Sequence, residues 1–198
     1  MQNFSYPQKQ KVFPVIDLGD VVLRQKQESD SQDFFDYYSD PEVNKYIMCD
    51  IPKTHEEAKR ELLYWRGVFD RSDGIYFGIA TKEEDRLIGA IGLSGWNTYN
   101  SRIELSYDLN RNFWRKGIMT RAVKEVVKYG FKELGVNRIE ASVASTNTPS
   151  RDLLLKCGFE LEGFLKQHRY HRGSYLDVYF FGMLRKDYLQ QFPTKSPI

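Results

Sequence analysis

The chain has 198 residues, the length of one domain, with 41% apolar and 28% charged residues and a formal net charge of +2. This balance excludes a disordered or fibrous polymer. Its apolar runs fall far short of the roughly 20 residues a membrane helix needs, and the opening stretch MQNFSYPQKQKVFPV has no hydrophobic segment of the secretory type. Two cysteines, Cys49 and Cys157, with no CxxC spacing, exclude a disulfide framework. A cytoplasmic protein with free thiols is expected, without membrane or nucleic-acid partners.

Residues 1–16 read as a poorly ordered leader, 17–190 as one domain, and 191–198 as a C-terminal tail. Val21–Leu23 is a short strand. Ser29 and Gln32 have capping-box spacing for a helix to about Tyr38, and Pro41 opens a short second helix. Thr54 and Glu57 form another capping box, for a helix to about Phe69. Three strand-like runs follow, Ile75–Thr81, Leu87–Leu93 and Ile103–Leu109, joined by polar turns as an antiparallel meander. Apolar residues from Ile118 to Leu134 recur at helical spacing, and Gly135 stops them. Arg138–Ser145 alternates as a strand. Thr148-Pro149 opens a helix that Gly158 ends. Phe159–Tyr170 and Ser174–Leu184 are strands around a turn at Arg172-Gly173. This succession, without repeats or linkers, is that of a single α/β (α+β) domain.

The small net charge conceals a division. Residues 110–132 carry +6 and residues 27–50 carry −6. The basic stretch is centred on Trp114–Thr120, between a strand and a helix. A helix N-terminus has unsatisfied N–H groups and partial positive charge, and so receives anions. Gly117 lets a ligand approach the backbone there, and Arg115 and Lys116 add charge. The segment is not a P-loop, and no GxGxxG is present.

Four short segments carry a resemblance. They are Phe113–Ala122, Leu134–Glu140, Asn147-Thr148-Pro149-Ser150 and Lys156-Cys157-Gly158-Phe159. In this order and spacing the chain resembles the GCN5-related N-acetyltransferases (GNAT), and within them the ribosomal-protein N-terminal acetyltransferases of the RimJ/RimL type. The likeness covers about residues 18–188. Gly117 matches the central glycine of the family's acetyl-CoA loop, while Trp114 and Met119 depart from its commonest residues. The resemblance implies a mixed, mostly antiparallel sheet flanked by helices, with strands splayed at the cofactor site. It implies that the amides of Arg115, Lys116, Gly117, Ile118, Met119 and Thr120 hold the CoA pyrophosphate. It further implies that backbone groups of Tyr107 to Leu109 meet the pantetheine and thioester, and that Asn147 and Ser150 face the cofactor and its sulfur.

Acetyl transfer to an amine needs a proton acceptor, because the amine is mostly ammonium at neutral pH. It also needs a donor to the thioester oxygen and one to the departing sulfur. Glu104, on the strand leading to the site, is the candidate base, with His168 or water as alternatives. Ser150 is the candidate donor to the sulfur. Cys157 reads as a buried thiol. No metal-ligand spacing is present, and none is expected to be needed. The expected function is transfer of acetyl from acetyl-CoA to a primary amine by direct attack, the subfamily resemblance pointing to a protein α-amine. A polyamine or aminoglycoside acceptor, and a non-catalytic acyl-CoA-binding module, are the alternatives. A monomer or a homodimer would serve. The acidic run 27–50 is expected to border the acceptor side and attract a cation.

Overall fold

The computed structural model describes residues 12–48 and 50–191. The expected tail beyond 191, the first eleven residues of the leader, and Cys49 therefore lie outside the described residues. Eight strands form one sheet in the order β1-β2-β3-β4-β5-β6-β8-β7. They are β1 (Ile16–Asp17), β2 (Val21–Arg24), β3 (Ile75–Thr81), β4 (Leu87–Asn97), β5 (Arg102–Leu109), β6 (Arg138–Ala144), β7 (Glu160–His171) and β8 (Ser174–Leu184). Every neighbouring pair is antiparallel except β5 and β6.

The middle strands are buried on both faces because helices cover both. On one side lies α4 (Ile118–Tyr129), continued by a wider π turn over Gly130–Leu134. Its Ile118, Ala122, Val123 and Val126 are almost wholly buried in the main core with Phe77, Ile79, Ile91 and Ile139. At about 1.5–3 kcal/mol per fully buried large apolar side chain, this face anchors the helix. On the other side lie α1 (Ser31–Tyr38), α2 (Pro41–Asn44) and α3 (His55–Arg66), packed through Phe34, Tyr37, Tyr38, Val43, Ala58 and Leu62. The remaining helices are α5 (Thr148–Lys156) and α6 (Arg185–Gln191).

Several local expectations are corrected. The Ser29–Gln32 capping box does not open α1. A 3-10 turn over Glu28–Asp30 precedes the helix, and the Asp30 carboxylate accepts from the Gln27 N–H at 2.7 Å. That carboxylate is fixed by two bonds from the Arg24 guanidinium, so a buried ion pair sets the start. Helix α3 stops at Arg66, and Val68 and Phe69 turn into the core beyond it. Residues 12–16 are not a loose leader: Phe13 packs edge-on against Phe69 and Phe77, both at 5.1 Å, and Ile16 enters β1. Among the described residues, no helix is long and apolar enough to cross a membrane.

Candidate active site

Strands β5 and β6 pair in parallel over only three residues, Arg102–Glu104 against Arg138–Glu140. Beyond Glu104, β5 stays paired with β4 and β6 with β8, so the two strands part. The opening between Leu105–Leu109 and Ala141–Ala144 leads into a cleft of about 740 Å³. The Asn110 N–H donates to the Ile88 carbonyl. By strand alternation, the peptide groups of Leu105, Tyr107 and Leu109 therefore face the opening. The Leu109 carbonyl already accepts from the Trp114 indole N–H at 2.7 Å. Trp114, a departure from the commonest residue of the loop, thus ties that loop to the strand, and among carbonyls this leaves Leu105 and Tyr107 toward the gap.

The loop ends at Gly117, whose φ of +74° is a left-handed conformation that glycine adopts without strain. The first backbone bond of α4 runs from Arg121 N–H to the Gly117 carbonyl. The N–H groups of Ile118, Met119 and Thr120 consequently have no intrahelical acceptor. Arg115, Gly117, Ile118, Met119 and Thr120 all border the cleft. The Lys116 side chain is not among the lining groups; its ammonium rests 4.9 Å from the Phe113 ring centre.

Asn147 caps α5, its side-chain oxygen accepting the Ser150 N–H at 3.1 Å. That capping turn aims the Ser150 hydroxyl at Tyr107, whose phenolic oxygen is 2.8 Å away. Burial pushes the Tyr107 phenol above its ordinary range, so it keeps its proton at neutral pH. Tyr107 entered the sequence reading for its backbone alone; its hydroxyl makes this pair across 43 positions of chain. Glu104 is exposed at the parting point of the strands, where its carboxylate accepts from the Ser142 hydroxyl at 2.6 Å, and it lines the cleft. His168 does not line the cleft and sits edge-on to Phe180, whereas its neighbour Arg169 does. The Cys157 thiol is buried, and burial raises its pKa.

The wall toward α1 and α3 holds ionisable groups absent from the sequence reading. Asp108 borders the cleft and accepts from the Tyr37 hydroxyl at 2.7 Å. Burial pushes its carboxyl up to about 6, against the opposing effects of Lys26 and that hydrogen bond. Tyr76 and Ser106 share a hydrogen bond of 3.0 Å on the same face. Alternation from Glu104 through Ser106 to Asp108 was the available signal, since Asp disfavours strands.

The acidic run is largely spent elsewhere. Asp33 pairs with Arg86, Asp40 with Arg111 and Glu28 with Lys59, while Asp36 accepts from Gln32. Among the described carboxylates of residues 27–50, only Glu42 lines the cleft.

A sheet parted beside a bare helix N-terminus can take an extended anionic ligand between its strands. The GNAT acetyltransferase domain model matches residues 20–160, and the chain belongs to that family as an acetyl-CoA-dependent N-acetyltransferase. It is 37% identical over 169 residues to N-acetyltransferase p20 of Bacillus licheniformis, covering 85% of this chain and 94% of that one. It is 25% identical over 167 residues to the ribosomal protein uS5-alanine N-acetyltransferase of Escherichia coli, covering 79% and 84%. Its fold matches the spermidine N-acetyltransferase of Vibrio cholerae, solved with CoA and spermine, with a TM-score of 0.74 at 23% identity, covering 86% and 98%. The expected resemblance and fold class both hold.

Proposed function

We propose that the chain acetylates a primary α-amine by direct attack on acetyl-CoA bound in the opening between β5 and β6. The carrying observation is that opening itself, bounded by the α4 N-terminus at its mouth and by the Tyr107–Ser150 pair within. The amides of Arg115 to Thr120 receive the pyrophosphate, Lys116 acting through its backbone. Peptide groups of Leu105 and Tyr107 meet the pantetheine arm, and the Leu109 N–H adds a donor.

Glu104 takes a proton from the acceptor ammonium, directly or through a water. The freed lone pair attacks the thioester carbon, the C–N bond forms and the C–S bond breaks. The departing sulfur takes a proton from the Tyr107–Ser150 hydroxyl pair, and the nitrogen, which carries one proton too many once the C–N bond has formed, returns one to the pair through a water. Asn147 serves as the cap that positions Ser150. Kinship with a ribosomal protein uS5-alanine N-acetyltransferase supports an α-amine on a protein.

Thiol release from acetyl-CoA, scored against N-terminal peptides, polyamines and aminoglycosides, tests this reading. Glu104→Gln should lower kcat/KM about 100-fold at neutral pH, with the loss shrinking as pH rises and free amine accumulates. Ser150→Ala should lower kcat several-fold while the acetyl-CoA affinity stays constant, the signature of a bond made in the transition state. Wild-type rates in both variants would remove these residues from the chemistry.

A further inference from the structure

The cleft wall beneath α1 and α3 carries a cation that the transfer described above leaves unused. Lys26 follows β2, is only 1% exposed, and still borders the cleft. Its stem crosses the sheet where β3 lacks a side chain: a Cβ at Gly78 would lie 3.3 Å from the Lys26 Cγ. The ammonium ends 4.5 Å from the centre of the Tyr76 ring and 5.8 Å from that of Phe34. Among the described residues, no carboxylate stands within ion-pair distance of it.

The three carboxylates whose charge reaches Lys26 are Asp108, Glu61 and Asp30. Each is engaged by another donor. Asp108 accepts from Tyr37, Glu61 from the Trp65 indole at 2.6 Å, and Asp30 from Arg24. Burial pulls Lys26 down to about 8, so it remains protonated at neutral pH. A buried ammonium has three N–H donors, and aromatic faces satisfy them only partly. Such a group is costly to bury unless an oxygen comes to it.

We propose that Lys26 is the specificity residue of the acceptor site, binding a carbonyl or carboxylate oxygen next to the acceptor amine, so that the substrates are α-amino carbonyl compounds. The inference rests on the transferase reading and names its acceptor class. Tyr76 links Lys26 to Ser106, which stands between Glu104 and Asp108 on the same strand face. An acceptor lying along this face presents its amine to the carboxylates and its oxygen to Lys26. A polyamine has no such oxygen and brings a second cation against a buried one, a repulsion that low polarity strengthens. The N-terminal residue of a polypeptide and a free amino acid share the required chemistry.

The test measures kcat/KM by thiol release for an alanyl peptide, free alanine, isopropylamine and spermidine, with wild type, Lys26→Met and Lys26→Gln. Isopropylamine keeps the branched amine and lacks the oxygen. The expected result is a wild-type preference of about tenfold or more for at least one alanine acceptor over isopropylamine. Lys26→Met should abolish that preference by a loss on the alanine acceptor alone, with acetyl-CoA affinity unchanged. Lys26→Gln, which keeps N–H donors, should retain part of it. The ratio of peptide to free alanine identifies the source. An equal loss on oxygen-bearing and oxygen-free acceptors, or a wild-type preference for spermidine, overturns the assignment while leaving the transferase reading intact. A Lys26→Met chain that no longer binds acetyl-CoA, with Lys26→Gln bound and unchanged in preference, overturns it as well. Acetyl-CoA binding without thiol release to any amine in the wild type overturns both readings.

Discussion

The two walls of the cleft hold charge in opposite ways. On the α4 and α5 side the polar groups are mostly backbone: the bare N–H groups after Gly117, the outward peptide groups of β5, and a capping turn that aims Ser150 at Tyr107. On the α1 and α3 side the polar groups are side chains, the buried Lys26 and Tyr37 and the half-buried Asp108, drawn from distant parts of the chain. Backbone donors need no titration and keep their charge at any working pH. Buried ammonium and carboxyl groups carry a desolvation cost that only the right neighbour offsets. The first wall therefore keeps its polar character whatever the pH, and the second does not.

Three changes test that contrast. The largest effect is expected from pH acting on Asp108. Its carboxyl is raised to about 6 in the fold, from an ordinary value of 3.8. The folded chain thus binds this proton more tightly than the unfolded chain, and its contribution to stability grows as pH falls through 6 toward 4. Asp108→Asn removes that growth. The unfolding free energy of wild type relative to the variant should rise by about 2 kcal/mol between pH 7 and pH 4, measured by urea titration. A flat difference would mean that Asp108 is solvated.

A smaller effect is expected on the backbone wall. Gly117→Val forces a β-branched residue into a left-handed conformation and crowds the ligand's path, since a Cβ there points into open space, with nothing but the adjoining chain among the described residues within 4 Å. Acetyl-CoA affinity measured by calorimetry should fall more than tenfold, or about 1.4 kcal/mol, without the pH dependence expected for Asp108. An unchanged dissociation constant would move the pyrophosphate elsewhere.

The smallest effect belongs to the acidic run. Asp33 and Asp40 are paired with Arg86 and Arg111, Asp36 is held by Gln32, and none of the three lines the cleft, so they have little field left for a substrate. Changing all three to Asn should leave kcat/KM and its salt dependence within about twofold of wild type. A flattened salt dependence in the variant would restore them as steering groups.

These outcomes follow the grain of what the chain reveals in one dimension. Gly117 was readable because a strand-to-helix turn marks glycine's freedom locally, whereas Asn147 and Ser150 entered through the family resemblance alone, and their capping bond emerges only in the fold. The strands and the long helix α4 were readable from their apolar periods. The Tyr107–Ser150 bond and the Lys26–Asp108 arrangement were not, because they depend on which faces of β2, β5, α1 and α5 meet. Lys26 stands in Gln25-Lys26-Gln27, which reads as solvated chain; only the bare Gly78 beneath it makes room for burial. The −6 count of residues 27–50 overstates the free charge for the same reason, since Arg24, Lys59, Arg86 and Arg111, which pair with four of its carboxylates, come from outside the segment.

The indoles lend themselves to optical measurement. Trp114 sits at the mouth of the cleft, 39% exposed and fastened to Leu109, while Trp65 lines the opposite wall, tilted against Tyr76 with ring centres 4.6 Å apart. Trp96 packs against the main core and does not border the cleft. Each half of the site therefore owns a fluorophore. With Trp114→Phe the emission that responds to ligand comes from the acceptor half, and with Trp65→Phe it comes from the donor half. The order in which the two substrates arrive becomes readable in a stopped-flow trace without any label.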